Sequence, residues 1–276
     1  MYVLLSINRE EKVGGKRNMA FMQCDFFSEV LQISTSMNVL IPQQTKSQIG
    51  LQTNTRSEKH PTLYLLHGLS DDHTIWMRRT SIERYASELG LAVVMPNVDR
   101  SFYRDMAYGK KYWTFVTEEL PQLARSFFPL SEKREDNFVA GLSMGGYGAL
   151  KWAFRKPHQF SAAASLSGVM DVEGLGGRGE VQFLDYPLIF GMPPVIRPED
   201  DLFWLLENRR RYGEVTPRIY QCCGTEDFLY QENKRFSERC KQEPICFTYE
   251  EGKGSHDWAY WDQKIQDVLK WLFSEK

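Results

Sequence analysis

The 276-residue sequence lacks the features that mark several other classes of protein. It has no run of the roughly 18 apolar residues that a membrane-spanning helix needs. The apolar stretch at residues 1–7 is too short for a signal peptide and has no basic region before it. The formal net charge is −2, and no basic cluster is interleaved with aromatic residues. We therefore expect a cytoplasmic protein that binds neither membranes nor nucleic acid.

Cysteine is also scarce. The sequence contains five: Cys24, Cys222, Cys223, Cys240 and Cys246. An odd number without metal-ligand spacing argues against a disulfide framework and a zinc site, and it favours a reducing compartment. The adjacent pair at 222 and 223 lies in a predicted strand, where a thiol most often serves as a small apolar side chain. A nucleophilic role for either is the alternative.

The most informative motif is GLSMG at residues 141–145. A nucleophilic serine on a sharp strand-to-helix turn needs the pattern G-x-S-x-G, because a Cβ at either glycine would collide with a neighbouring strand or helix. Residues 137–140 (NFVA) predict a short buried strand, and residues 145–154 (GGYGALKWAF) predict a helix with a small first turn. Ser143 is the candidate nucleophile. The alternative is a glycine-rich turn with an incidental serine.

A serine hydroxyl needs a general base, and the base needs a carboxylate to orient it. One known chain order is serine, acid, histidine. The sequence contains five histidines: His60, His67, His73, His158 and His256. The first three precede the serine, and the fourth follows it too closely for a carboxylate-bearing strand to intervene. His256, in a predicted loop before a C-terminal amphipathic helix, is therefore the candidate base.

The candidate acid follows a predicted buried strand at residues 218–224 (RIYQCCG). Catalytic groups of open α/β sheets collect at the carboxyl ends of strands, and residues 225–228 (TEDF) lie at that end. Asp227 is preferred because a short side chain suits a buried orienting role, with Glu226 as the alternative. Four other aspartates lie between the serine and His256 and are expected to be solvated loop carboxylates: Asp171, Asp185, Asp200 and Asp201.

The tetrahedral intermediate of acyl transfer needs backbone N–H donors for its oxyanion. One donor is normally the residue after the nucleophile, here Met144. Residues 63–66 (LYLL) are typical of a central parallel strand, and HGLS follows at once. The second predicted donor is Leu69. His67 is predicted to be a structural hydrogen-bonding residue that shapes this loop.

Four segments together resemble the bacterial tributyrin esterases of the esterase D group: YLLHGL at 64–69, GLSMGGYG at 141–148, GTEDFLY at 224–230 and SHDW at 255–258. The resemblance runs from Met22 to the C-terminus. It implies an α/β-hydrolase fold, hydrolysis of small-molecule, short-chain acyl esters, and a catalytic triad of Ser143, Asp227 and His256. It also implies that no metal or organic cofactor is used. Hydrolases of this group often assemble, which leaves a homo-oligomer open.

The motifs leave the acyl acceptor and the leaving group open. S-formylglutathione hydrolases belong to the same wider group, but they typically carry a serine at the position of His67. The alternatives are a thioesterase of that type, an esterase for sugar acetates or hydroxycinnamates, an acyltransferase with sugar or alcohol acceptors, and a catalytically silent carbohydrate-binding or ligand-binding relative. Complete serine, acid and base candidates argue against the last.

The alternation of strand and helix patterns predicts an α/β fold, with a mostly parallel central sheet and helices on both faces. Two antiparallel strands, at residues 24–33 and 37–41, are predicted to precede it, and helices are predicted at residues 82–89 and 113–128. Residues 19–276 are expected to form a single domain, with residues 1–18 as an extension outside the core. Gly14-Gly15-Lys16 can be encoded by a bacterial ribosome-binding sequence, so we expect translation to begin at Met19.

Residues 169–216 interrupt the alternation with many glycines and prolines. A long excursion of this kind in a compact domain is usually functional or mobile. We interpret it as a small cap insertion over the acyl pocket. Its aromatic residues would line that pocket or, alternatively, bury a small core of the excursion itself: Phe183, Tyr186, Phe190 and Trp204. Residues 101–109 (SFYRDMAYG) are a second candidate wall.

Overall fold

The computed structural model describes residues 16–45, 59–175 and 185–274; the predicted cap residue Phe183 lies outside the described residues. One sheet contains all the strands: β1 (Lys16–Ser28), β2 (Ile33–Thr45), β3 (Thr62–Leu66), β4 (Ala92–Pro96), β5 (Asn137–Leu142), β6 (Ala162–Leu166), β7 (Arg218–Gly224) and β8 (Phe247–Gly252). Their order is β1-β2-β4-β3-β5-β6-β7-β8. β2 is antiparallel to β1 and β4, and the remaining pairs are parallel. The predicted mostly parallel sheet is confirmed.

The helices cover both faces of the sheet. They are α1 (Ile75–Arg79), α2 (Ile82–Leu89), α3 (Tyr112–Thr114), α4 (Leu120–Phe127), α5 (Met144–Arg155), α6 (Val172–Leu175), α7 (Tyr186–Phe190), α8 (Leu202–Asn208), α9 (Tyr230–Gln242) and α10 (Trp258–Leu272). Among the helices of the described residues, none has both the length and the apolar character needed to cross a bilayer. With the sheet between its two helical layers, the molecule has the expected α/β-hydrolase architecture.

Two predicted elements differ from the observed ones. The hairpin turn between β1 and β2 falls inside the first predicted strand. The Glu119 carboxylate, from a distant part of the chain, accepts the N–H of Glu29 at 2.8 Å and so holds this turn. The helix predicted at 113–128 is divided by a π-helical turn, Phe115–Glu119. Pro121 follows this turn, and because it has no N–H it cannot continue a regular α-helical ladder.

The central strands are buried on both faces, which explains their continuous apolar sequence. Along β3, Tyr64 points into the apolar layer on one face, where its ring lies 5.4 Å from that of Trp152. Leu65 points into the opposite layer, which also contains Ile265 of α10. Because successive strand residues alternate in direction, β3 joins both halves of the core.

The segment after α6 packs against the body through a buried ion cluster. Asp200 is 2% exposed, so its prediction as a solvated loop carboxylate is wrong. Its carboxylate accepts the Lys151 ammonium of α5 at 2.7 Å and lies 3.2 Å from Arg104 Nε. Two buried cations need a buried anion, and Asp200 supplies it. The ring of Phe190, from the same segment, packs 6.3 Å from that of Phe102.

Candidate active site

The GLSMG motif forms a sharp turn between β5 and α5. Ser143 stands alone between them with φ 52° and ψ −118°, a conformation that is strained for any residue with a Cβ. A Cβ added at Gly141 would lie 2.4 Å from the Gly145 carbonyl oxygen, and one added at Gly145 would lie 2.5 Å from that of Leu66. Both predicted collisions are confirmed. The two glycines are therefore what allows the strand, the serine and the helix to meet.

Ser143 lies within hydrogen-bonding distance of the predicted base. The His256 Nε2 atom is 3.0 Å from Ser143 Oγ. On the other side of the ring, Nδ1 is 2.9 Å and 3.1 Å from the two carboxylate oxygens of Asp227. These residues follow β5, β7 and β8, whose carboxyl ends lie at one edge of the sheet. The order along the chain and the geometry in space thus agree.

Asp227 is held in place by its own loop. Its side chain is fully buried, and Oδ1 also accepts the N–H of Leu229 at 2.8 Å. The neighbouring alternative, Glu226, is exposed. The loop that carries His256 crosses the end of β7 closely, since a Cβ at Gly224 would lie 2.1 Å from the Gly254 carbonyl oxygen. This close crossing brings the imidazole over the carboxylate.

The hydrogen bond to the Asp227 carboxylate determines which nitrogen of the neutral His256 imidazole carries the proton. With Nδ1–H donating to Asp227, Nε2 is left to accept the Ser143 hydroxyl proton. Two aromatic rings contact the imidazole: Trp261 at 4.8 Å, edge-on, and Phe228 at 4.5 Å, between ring centroids. Phe228 is 71% exposed, so it forms part of the site's mouth. Sequence reasoning missed it, although it directly follows the candidate acid.

The two residues predicted to supply the oxyanion donors, Met144 and Leu69, lie close to Ser143. Met144 is the first residue of α5, and the first N–H groups of a helix have no partner within it. The loop after β3 lies beside the serine, since a Cβ added at Gly68 would stand 3.7 Å from Ser143 Cβ. Leu69 follows in this loop and is half-buried. We call residues 66–69 the oxyanion loop.

His67 has the structural role predicted for it. Its buried ring accepts the Val98 N–H at Nε2, at 3.0 Å, so the proton is on Nδ1, which donates to the Gly68 carbonyl oxygen at 2.7 Å. Burial lowers the pKa of His67 to about 4, against the weaker opposing effect of the Gly68 carbonyl. The neutral ring thus links the oxyanion loop to the end of β4.

We expect His67 to make the protein less stable in mild acid. In the unfolded chain its imidazole gains a proton below pH about 6.5, whereas the folded ring stays neutral until pH about 4. Its share of the free energy of unfolding is therefore undiminished above pH about 6.5 and falls by about 3 kcal/mol as the pH drops to about 4. Urea unfolding of the wild type and of His67→Gln at stepped pH measures this. The variant should show the shallower pH dependence; equal slopes would contradict the assignment.

A cleft of about 790 Å³ begins at the oxyanion loop. Its lining includes Leu69, Asp71 and Tyr112, Met106 from the second predicted wall, and Asp185 from the predicted cap. Burial raises the pKa of Asp71, and this carboxylate was not singled out from the sequence. The three remaining aspartates weighed as the acid contact groups other than the histidine: Asp171 pairs with Arg235, Asp185 pairs with Arg100 at the cleft, and Asp201 caps the N-terminus of α8.

The alternative nucleophiles Cys222 and Cys223 are buried thiols. All five are free, and Cys222 and Cys223 have no exposed surface. Burial raises the pKa of both thiols, that of Cys222 to about 12, so neither is a thiolate near neutral pH. Within the described part of the chain, no group of three or more His, Cys, Asp or Glu side chains is arranged to hold a metal ion.

Comparisons with known proteins give one matching family and several similar proteins. Residues 33–272 match the family described as "Putative esterase". The chain is similar to an acetyl esterase of Caldicellulosiruptor saccharolyticus, with 32% identity over 262 aligned residues that cover 92% of this chain and 98% of the relative.

Two solved structures from Staphylococcus aureus are also similar. One is the fluorophosphonate-binding serine hydrolase FphF with substrate bound, at 37% identity and a TM-score of 0.84, covering 94% of this chain and 100% of that one. The other is the S-formylglutathione hydrolase FrmB, at 38% identity and a TM-score of 0.81, covering 93% and 100%.

Proposed function

The chain belongs to the esterase family and is a serine hydrolase, and from this premise we propose that it is a carboxylesterase for short-chain acyl esters, close in activity to the tributyrin esterases. One observation carries the proposal: Ser143, His256 and Asp227 form a hydrogen-bonded series at the sheet edge. A hydroxyl, a neutral imidazole and a buried carboxylate in this order are the groups that acyl transfer to serine requires.

In the first half of the proposed reaction, Ser143 Oγ attacks the ester carbonyl carbon while His256 Nε2 takes the hydroxyl proton. The carbonyl oxygen becomes an oxyanion, which the N–H groups of Met144 and Leu69 stabilise. When the tetrahedral intermediate collapses, the bond to the leaving oxygen breaks and His256 gives its proton to the departing alcohol. The acyl group remains on the serine as an ester.

In the second half, water attacks the acyl-serine carbonyl and His256 takes a proton from it. Collapse of this second intermediate releases the carboxylic acid and returns the proton to Ser143 Oγ. Throughout, Asp227 keeps the proton of the neutral ring on Nδ1 and stabilises the imidazolium that forms in each half. Its full burial strengthens this charge interaction, because little water screens it.

The proposal extends to the domain organisation. Residues 19–276 act as one catalytic domain, and residues 169–216 form the cap over the acyl pocket. Of the expected N-terminal extension, residues 1–15 lie outside the described residues, whereas residues 16–18 lie in β1 and pair with β2. The buried contact of Phe190 with Phe102 supports a cap that docks on the body. The five free cysteines support the reducing, cytoplasmic location expected from the sequence.

Three related activities remain as alternatives. The 38% identity with FrmB favours a thioesterase of the S-formylglutathione hydrolase type, since the same groups can attack a thioester carbonyl. The similarity to an acetyl esterase favours the shortest acyl groups and includes acetylated carbohydrates among the candidate esters. Feruloyl esters are a further candidate of the same reaction type.

Hydrolysis of p-nitrophenyl esters from acetate to decanoate tests the proposal. We expect kcat/KM to be highest between acetate and butyrate and to fall at least ~100-fold by decanoate, because each methylene that a pocket cannot accept costs about 1–3 kcal/mol. S-formylglutathione is assayed in parallel. A flat chain-length profile would contradict the short-chain assignment, and a thioester turned over far faster than every ester would favour the thioesterase.

A further inference from the structure

The loop after β4 contains two aromatic residues with strained backbone, neither of which takes part in the reaction described above. Phe102 and Tyr103 have φ values of 51° and 48°, in the left-handed region that bulky residues rarely adopt. Ser101 fixes this bend, since its hydroxyl oxygen accepts the Tyr103 N–H at 3.2 Å and its carbonyl oxygen accepts the Arg104 N–H at 3.2 Å. Strain of this kind persists where the surroundings require one particular side-chain position.

Tyr103 is held at three points. Its hydroxyl donates to the His67 carbonyl oxygen at 3.0 Å. Its own carbonyl oxygen accepts the fully buried Lys151 ammonium at 3.1 Å. Its ring lies against Gly148 of α5, where an added Cβ would stand 2.5 Å from Tyr103 Cδ2. With 1% of its surface exposed, the side chain has one available position.

The carbonyl that Tyr103 binds is the middle one of three consecutive carbonyls in the oxyanion loop. Each of them accepts a hydrogen bond from a buried side chain: Leu66 O from Trp76 Nε1 at 3.1 Å, His67 O from the Tyr103 hydroxyl, and Gly68 O from His67 Nδ1 at 2.7 Å. Side chains thus hold this loop where it leaves β3, together with the Asp71 N–H, which also donates to the Gly68 carbonyl oxygen at 3.3 Å.

These contacts determine where the Leu69 N–H points. A trans peptide group is planar, so its C=O and N–H point in opposite directions. A fixed Gly68 carbonyl therefore fixes the direction of the Leu69 N–H. A fixed His67 carbonyl likewise fixes the orientation of the preceding peptide group, between His67 and Gly68. The His67 carbonyl also lies against α5, since a Cβ at Gly145 would be 2.7 Å from its oxygen.

We propose that Tyr103 is a positioning residue for the oxyanion hole: its hydroxyl holds the His67 carbonyl, and so the oxyanion loop, in the orientation that aims the Leu69 N–H at the developing oxyanion. The inference rests on the proposed function, which supplies Leu69 as a donor. Tyr103 itself touches no substrate. An oxyanion donor contributes about 10²- to 10³-fold to kcat, and a displacement of about 1 Å forfeits much of such an effect.

Tyr103→Phe tests this role, because it removes the hydroxyl and keeps the ring. We expect kcat for p-nitrophenyl acetate to fall about 10- to 100-fold, with KM changed by no more than about two-fold. The second readout is inhibition by a trifluoromethyl ketone, whose adduct with Ser143 carries an oxyanion. Its affinity should weaken by the same factor as kcat/KM, a correlation that a purely structural role would not produce.

Two further variants complete the test. Tyr147→Phe removes another buried hydroxyl, which donates to the Asp200 carbonyl oxygen at 2.8 Å, away from the oxyanion loop. It should leave kcat/KM and inhibitor affinity within about two-fold of the wild type, because the donors stay in place. Gly148→Ala pushes on the Tyr103 ring with the hydroxyl intact, and it should weaken both quantities together.

Wild-type kcat/KM and inhibitor affinity in Tyr103→Phe would overturn the inference, as would equal losses in Tyr147→Phe. Should Tyr103→Phe fail to fold, Gly148→Ala decides the question by the same two readouts. The esterase proposal is judged separately, by whether the wild type hydrolyses esters and loses that activity with Ser143. A failure of the positioning role is therefore distinguishable from a failure of the proposed function.

Discussion

Replacement of Ser143 by alanine is expected to lower kcat for p-nitrophenyl butyrate by about 10⁵- to 10⁶-fold, since no acyl-enzyme can form without the hydroxyl. The free energy of unfolding should change by less than about 1 kcal/mol. The hydroxyl's hydrogen bond is to His256, and alanine meets the same backbone strain at φ 52° as serine does. Steady-state kinetics and urea unfolding measure the two quantities.

A matched control is Ser161→Ala, at the opposite end of the sheet. The Ser161 hydroxyl donates to the Glu135 carbonyl oxygen at 3.2 Å, in a partly exposed position far from the turn between β5 and α5. Its removal should leave kcat unchanged. Labelling gives an independent readout: a fluorophosphonate should add one adduct to the wild type and to Ser161→Ala, and none to Ser143→Ala. Turnover or labelling that survives in Ser143→Ala would place the nucleophile elsewhere.

The parts of the fold that sequence alone predicted are those with a strong local pattern. The helix predicted at 82–89 is observed at Ile82–Leu89, and the strand predicted at 218–224 at Arg218–Gly224. The sequence also marks where such elements end. Gly90, for example, ends α2 in the left-handed conformation, which glycine adopts easily. The β1–β2 turn was missed because a distant carboxylate, Glu119, holds it.

The residues of the candidate site also fall into those with a local sequence pattern and those that depend on distant contacts. Ser143, His256 and Asp227, which the structure brings within hydrogen-bonding distance of one another, could be singled out because the G-x-S-x-G motif is local and the chain order admits few partners. Tyr103 and Asp200 were not found, because their roles depend on contacts with residues far away in sequence: His67 for the hydroxyl of one, and Lys151 for the carboxylate of the other. Left-handed backbone at a tyrosine leaves no signal in composition or periodicity.

The two neighbouring carboxylates after β7 give the second large prediction. Asp227→Asn is expected to lower kcat by about 10⁴-fold while the protein stays folded. The amide has almost the shape of the carboxylate and its oxygen can still accept the Leu229 N–H. It carries no charge to stabilise the imidazolium, and its NH₂ group can turn the imidazole to the wrong tautomer. Kinetics with p-nitrophenyl butyrate measure the loss.

Glu226→Gln is the matched control, because it makes the same chemical change one residue earlier. Glu226 is exposed, and its contact with the histidine loop is through its backbone N–H, which donates to the Gly254 carbonyl oxygen at 3.0 Å. Neutralising its side chain should therefore change kcat by no more than about two-fold. Losses of equal size in both variants would mean that the whole loop is disturbed. A large loss in Glu226→Gln alone would assign the orienting role to Glu226. The buried contact between Asp227 and His256 predicts instead a large loss in Asp227→Asn alone.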